Sequence, residues 1–110
     1  MFLAGQPGLD SNGNVASPRD IVAQCAQAFA NLKTVIDAAG GAVTDVVKLT
    51  IYVVDHDPSK LGIIAQHTAQ TFGAALPAQT LVPVPRLALD DMLFEVDAIA
   101  VLEQNKPGTP

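Results

Sequence analysis

The hydrophobic pattern changes period along the chain, and each change marks an element. Between Val22 and Ala39, apolar residues fall at Val22, Cys25, Phe29, Leu32, Ile36 and Ala39. Steps of three and four draw one stripe along a helix. Gln24, Gln27, Asn31, Lys33, Thr34 and Asp37 occupy the other faces. Ser17 is a suitable N-cap, Pro18 fits the first helical position, and Asp20 suits the first turn. Gly40-Gly41 ends the helix, because glycine accepts the left-handed conformation that follows a helix.

Residues 45–55 then alternate with period two, which predicts a strand. Val47, Leu49, Ile51 and Val53 share one face; Val46, Lys48, Thr50, Tyr52 and Val54 share the other. Asp57-Pro58 repeats the cap-and-proline start. It opens a second helix to Phe72, with Leu61, Ile64, Ala65, Thr68 and Phe72 on its buried side. Pro77 prevents continuation beyond Gly73-Ala74-Ala75.

The stretch 76–103 holds two further alternating runs, 79–87 and 92–103, joined at 88–91 and expected to form a hairpin. Pro83 and Pro85 cannot donate to a ladder, so the first run belongs at a sheet edge or a bulge. At the other end, residues 2–6 form a short strand, 8–14 are rich in turn formers, and Val15-Ala16 is a brief return strand. Residues 105–110 form a flexible tail to a single domain spanning 1–104.

The expected order is β-β-α-β-α-β-β, an α+β sheet. Right-handed crossovers place both helices on one face. The other face is left with Val46, Tyr52, Val54, Leu93, Ile99 and Val101. At about 25 cal/mol per Å² of apolar surface, burying that face against further copies of the chain is favourable.

Composition strengthens this expectation. The 110 residues are 49% hydrophobic and only 15% charged, against about 25% charged in an ordinary soluble domain. The net charge of −5, from 11 acidic and 6 basic residues, argues against a nucleic-acid partner, which calls for clustered cations. No apolar run approaches the ~18 residues of a membrane helix. The start shows no basic-then-apolar leader pattern. A cytoplasmic protein with no membrane partner is expected.

Among candidate chemical groups, Glu95 stands out, sharing with Asp97 one face of an otherwise apolar strand. It either serves a ligand or a water, or is a carboxylate held by backbone amides or a neighbouring subunit. Asp55-His56-Asp57 has metal-ligand residue types, but adjacent turn residues rarely converge on one ion, and Asp57 already serves the helix start. No metal is expected. His67 reads as an ordinary helix residue. Cys25, on the apolar stripe, reads as a buried thiol. Gly5 to Gly8 lacks the lysine and following helix of a phosphate loop.

Several short motifs occur in a telling order. They are Leu3-Ala4-Gly5-Gln6, Asn31-Leu32 with Ala38-Ala39-Gly40, Asp45-Val46-Val47-Lys48, Pro77-Ala78-Gln79-Thr80, Val84-Pro85-Arg86-Leu87 and Phe94-Glu95-Val96-Asp97-Ala98-Ile99-Ala100. By these motifs the chain resembles the RidA/YjgF/YER057c/UK114 family, also called Rid or L-PSP, over nearly its whole length. The resemblance implies a chorismate-mutase-like fold and a homotrimer whose sheets form a central barrel. Small-molecule clefts then lie between subunits, and no cofactor is required. The family's best-known activity is hydrolysis of enamines and imines to 2-keto acids and ammonia. An arginine grips the substrate carboxylate, and a glutamate positions the attacking water.

Carried over by position, Glu95 is the catalytic carboxylate, and Gly5, Gln79, Thr80 and Leu81 are ligand-binding. The expected ligand is an imino or keto acid. However, the arginine falls on Gln79, which is neutral and cannot make the two-pronged charged pair. An asparagine that some deaminases use falls near Ala65. The usual cleft-lining segment before the first strand has no counterpart. Arg86 lies an odd number of residues from Gln79, hence on the opposite face of a regular strand, and reads as a surface or interface ion pair. The functional expectation is a Rid-like trimer binding a small metabolite without the arginine-dependent deaminase site. The alternatives are an active deaminase with altered preference and a non-catalytic regulatory or chaperone-like module. A ribonuclease is disfavoured by the net charge.

Overall fold

The computed structural model describes residues 1–15 and 17–102. Its elements are β1 (Phe2–Pro7), α1 (Ile21–Ala38), a 3-10 turn (Val43–Asp45), β2 (Val46–Val54), α2 (Ser59–Phe72), β3 (Ala78–Val84) and β4 (Phe94–Ala100). The strands form one sheet in the order β1-β4-β2-β3. β4 is antiparallel to both β1 and β2, whereas β3 runs parallel to β2. A parallel neighbour needs a crossover, and α2 supplies it.

Alternation in β4 divides the sheet into two faces. Phe94, Val96, Ala98 and Ala100 are buried, in one cluster with Cys25, Ala28, Phe29, Leu32 and Ile36 of α1 and Ile64 and Phe72 of α2. Glu95, Asp97 and Ile99 point the other way and are half-buried. Both helices therefore cover one face, although Val22 and Ala39 of the expected α1 stripe and Leu61 and Ala65 of the expected α2 stripe are exposed.

Four local expectations are corrected. First, 76–103 is not a hairpin: β3 and β4 are separated in the sheet by β2. The crossover through α2 commits β3 to the free side of β2, because β4 already takes the other. The proline argument still holds, since β3 is an edge strand and Pro83 lies in it. Second, the return strand shrinks to a single Leu9–Val15 bridge, and Ala16 lies outside the described residues. Third, α1 is capped by Asp20, whose carboxylate accepts the Ala23 amide at 3.1 Å. Ser17 and Pro18 sit in a preceding turn, closed by the Asp20 amide on the Ser17 carbonyl at 3.0 Å. Arg19 in this turn has a φ of 61°, incompatible with a helix start. Fourth, β2 carries a bulge between Val46 and Lys48. The extra residue shifts the alternation, so Val46 joins the core and Val47 is exposed.

The far end of α1 follows expectation. Gly40 takes a φ of 83°. Its amide reaches the Asp37 carbonyl at 3.1 Å, and that of Gly41 reaches Ile36 at 3.0 Å, satisfying the helix's last acceptors. At α2, Asp57 accepts the Ser59 amide at 2.8 Å and the Ser59 hydroxyl. These two contacts, more than any nearby cation, hold its carboxyl below the usual range. The expected tail, 105–110, lies outside the described residues.

The bulge makes the open face more polar than expected. Of the residues assigned to it, Val46 and Val54 are buried, Tyr52, Leu93 and Ile99 are half-buried, and Val101 is 61% exposed.

Gln24, which the helical pattern assigns to a polar face, is fully buried. Its Nε2 donates to the carbonyls of Ser17 (3.0 Å) and Asp91 (2.9 Å), and its Oε1 accepts the Leu93 amide (2.7 Å). Gln24→Leu leaves these backbone groups buried without partners. An expected loss of about 2–4 kcal/mol is measurable by urea unfolding, and a loss below about 1 kcal/mol would contradict this role.

Candidate functional site

β4 carries Glu95 into the middle of the open face, opposite Tyr52 on β2 and Pro7 on β1. The β1–β4 ladder is irregular between Leu3 and Gln6, and Gly5 lies in that irregularity. The Glu95 side chain lies directly over Gly5. A Cβ there would sit 2.5 Å from Oε2 and 2.7 Å from Cδ, so a larger residue would make the carboxylate shift from this position. No hydrogen bond from the described residues reaches that carboxylate. The reading in which backbone amides hold it thus finds no support within the protomer. Burial raises the Glu95 pKa above its ordinary 4.5, and the nearby Asp97 charge raises it further.

Asp97 shares this face and accepts the Tyr52 hydroxyl at 3.1 Å. That hydrogen bond is the main cause pushing the Tyr52 pKa upward. The sequence marked Tyr52 only as part of the open face. Its pairing with Asp97 depends on the register of β2 against β4, which no local pattern reveals. Thr80 also faces this side, where its hydroxyl accepts from Lys48 Nζ.

Gln79 and Leu81 point the opposite way. They pair with Leu49 and Ile51, whose side chains belong to the helix-covered face. Leu81 packs against the core. Gln79 lies beside a pocket of about 230 Å³ formed with Ala65, Thr68, Ala69, Leu76 and Pro77. Two of the expected ligand residues thus face away from Glu95 within one protomer, while Gly5 and Thr80 share its face. Thr68 and Ala69 of α2 approach Gln79 only through the β2–α2–β3 crossover, which no local pattern reveals. No hydrogen bond from the described residues engages the Gln79 amide.

The remaining candidates resolve simply. Arg86 pairs with Asp90 at 2.8 Å on the surface, as expected. His67 Nδ1 lies 2.9 Å from the Ile63 carbonyl one turn earlier, an ordinary helix contact. The described residues contain no metal-holding group of three His, Cys, Asp or Glu, and His56 Nδ1 is buried without a partner. Cys25 is fully buried, which pushes its thiol up to about 12. No helix among the described residues is long and apolar enough to cross a membrane.

Residues 1–102 match the profile of the Endoribonuclease L-PSP family. The chain belongs to this family. A RutC family protein of Pyrococcus horikoshii is 36% identical over 104 residues, covering 94% of this chain and 79% of the relative. A 2-iminobutanoate/2-iminopropanoate deaminase of Salmonella typhimurium is 36% identical over 103 residues, covering 92% and 78% respectively. The crystal structure of a Rid-family protein of unknown function from Yersinia pestis superposes with a TM-score of 0.87 at 41% identity, over 93% of this chain and 77% of that one. The α+β sheet described above is the chorismate-mutase-like fold of the Rid proteins.

Two measurements check this geometry. Carbon-detected NMR titration of Glu95 is expected to give a midpoint above 4.5. Asp97→Asn lowers it only partway, because burial is the larger cause. A raised folded value means that ionising Glu95 opposes folding. The penalty is absent well below 4.5 and grows as pH rises through the folded value. Separately, Cys25 should resist a disulfide exchange reagent at about pH 8 in the folded protein and react fully in denaturant. Rapid reaction without denaturant would contradict its burial.

Proposed function

We propose that the chain works as a cytoplasmic homotrimer binding a small metabolite in clefts between subunits, without the arginine-dependent deaminase site. One observation carries the reading. Gln79, the position on which the deaminases' arginine falls by resemblance, lines a pocket with Ala65, near which the resemblance sets their asparagine, and no charged residue lines that pocket. An uncharged pocket at this place supports a site without the carboxylate grip. Losing a desolvated, charge-assisted contact typically costs a hundredfold or more in affinity.

Assembly is supported by the arrangement of the faces. Glu95 stands on a face that no helix covers, whereas Gln79 stands at the free edge beyond β2. Within a protomer the two cannot meet on one ligand. Packing the open face of one subunit against the edge of another brings the two half-sites together. It also buries Tyr52, Leu93 and Ile99.

A second reading, imine hydrolysis with altered preference, is favoured by the unbonded Glu95 carboxylate. Ionised, it can take a proton from a water attacking the imine carbon. The carbon–nitrogen bond then breaks, releasing ammonia and a carbonyl product. The deaminase named among the relatives lends this reading further support.

An amino-acid oxidase that generates imino acids tests both. The expected result is a trimer by light scattering, with little acceleration of keto-acid release from 2-aminoacrylate. Strong acceleration abolished by Glu95→Ala would overturn the first reading in favour of the second. A monomer at micromolar concentration would overturn the cleft itself.

A further inference from the structure

We infer that the pocket between α2 and β3 selects an uncharged ligand group bearing N–H donors, a primary carboxamide being the simplest case, over a carboxylate. The inference rests on the cleft reading above and specifies the chemistry of one half of that cleft.

The charges come first. The pocket walls are Ala65, Thr68, Ala69, Leu76, Pro77 and Gln79, none of them ionisable. The cations among the described residues are engaged or placed elsewhere. Arg19 lies 3.9 Å from Asp91, and Arg86 pairs with Asp90. Lys48 binds Thr80 on the opposite face, and Lys60 binds the carbonyls of Val54 and Asp55. Lys33 borders a separate groove between α1 and α2. An anion settling against these walls would find no countercharge on them, in a chain of net charge −5.

The hydrogen-bonding capacity points the same way. Thr68 is buried and donates its hydroxyl proton to the Ile64 carbonyl at 2.8 Å. Its hydroxyl proton is therefore not available to a carboxylate, which can only accept hydrogen bonds. The free Gln79 amide both donates and accepts, so it complements another primary amide through two antiparallel N–H···O bonds.

The test compares 2-oxobutanamide with 2-oxobutanoate, which share a skeleton and differ in CONH₂ against COO⁻. Binding to the intact oligomer is followed by isothermal titration and by the NMR shifts of the Ala65 and Ala69 methyls. The amide is expected to bind at least about tenfold more tightly, and Gln79→Arg to reverse the order. Gln79→Leu should abolish the preference while leaving the melting temperature close to wild type. Equal or tighter binding of 2-oxobutanoate at these methyls would overturn the inference and leave the cleft intact. A trimer whose pocket methyls respond to neither compound at millimolar concentration would overturn both.

Discussion

A buried amide joins the helical layer to the segment that launches the central strand. Gln24 holds the carbonyl of Asp91 and the amide of Leu93 from inside α1. Phe94 follows immediately and begins β4. Strand register has a period of two, so a slip of one residue here would exchange the faces of Phe94 and Glu95. Buried Met92 anchors the same loop. The polar clamp and the buried Phe94, Val96, Ala98 and Ala100 together set which way the candidate catalytic carboxylate points.

From that register follows a protomer whose candidate residues fall into two separate groups. One is Glu95 over Gly5, with Asp97 and Tyr52 nearby on the open face. The other is the uncharged pocket of Gln79 at the edge. They lie on opposite faces because their partners on β2, Tyr52 and Leu49, are an odd number of residues apart. The bulge at the start of β2 adds a consequence. By moving Val46 into the core, it leaves Lys48, Thr50, Thr80, Glu95 and Asp97 as a polar surface broken by Tyr52, Val82 and Ile99. Such a surface suits an interface that encloses water and ligand better than a dry one.

The departures from the deaminase pattern are mutually consistent. A neutral Gln79 next to a surviving arginine would be a minor change. Here the neighbouring wall residue Ala65 is apolar, and Thr68 gives its proton to the Ile64 carbonyl. Nothing in that pocket offers an anion either a charge or a dense set of donors. Glu95, in contrast, keeps both a glycine shelf and a perturbed carboxyl. The candidate carboxylate thus stands on a face with charge, whereas the pocket beside Gln79 has none on its walls.

The sequence by itself determined the two amphipathic helices, the alternating strands, the edge position that Pro83 imposes and the buried thiol of Cys25. These depend on local periodicity and on proline chemistry. Motif order also identified the family and pointed to Glu95. The tertiary structure alone decided that β3 joins β2 in parallel instead of pairing with β4, because both choices satisfy the same alternation. It alone decided the burial of Gln24, whose three partners lie seven and more than sixty residues away in sequence. The placement of Gln79 on the helix side of the sheet and the closeness of Gly5 to Glu95 likewise follow from register and bulges. A bulge changes side-chain direction without leaving a mark in hydrophobic spacing, so these contacts existed only once the strands had paired.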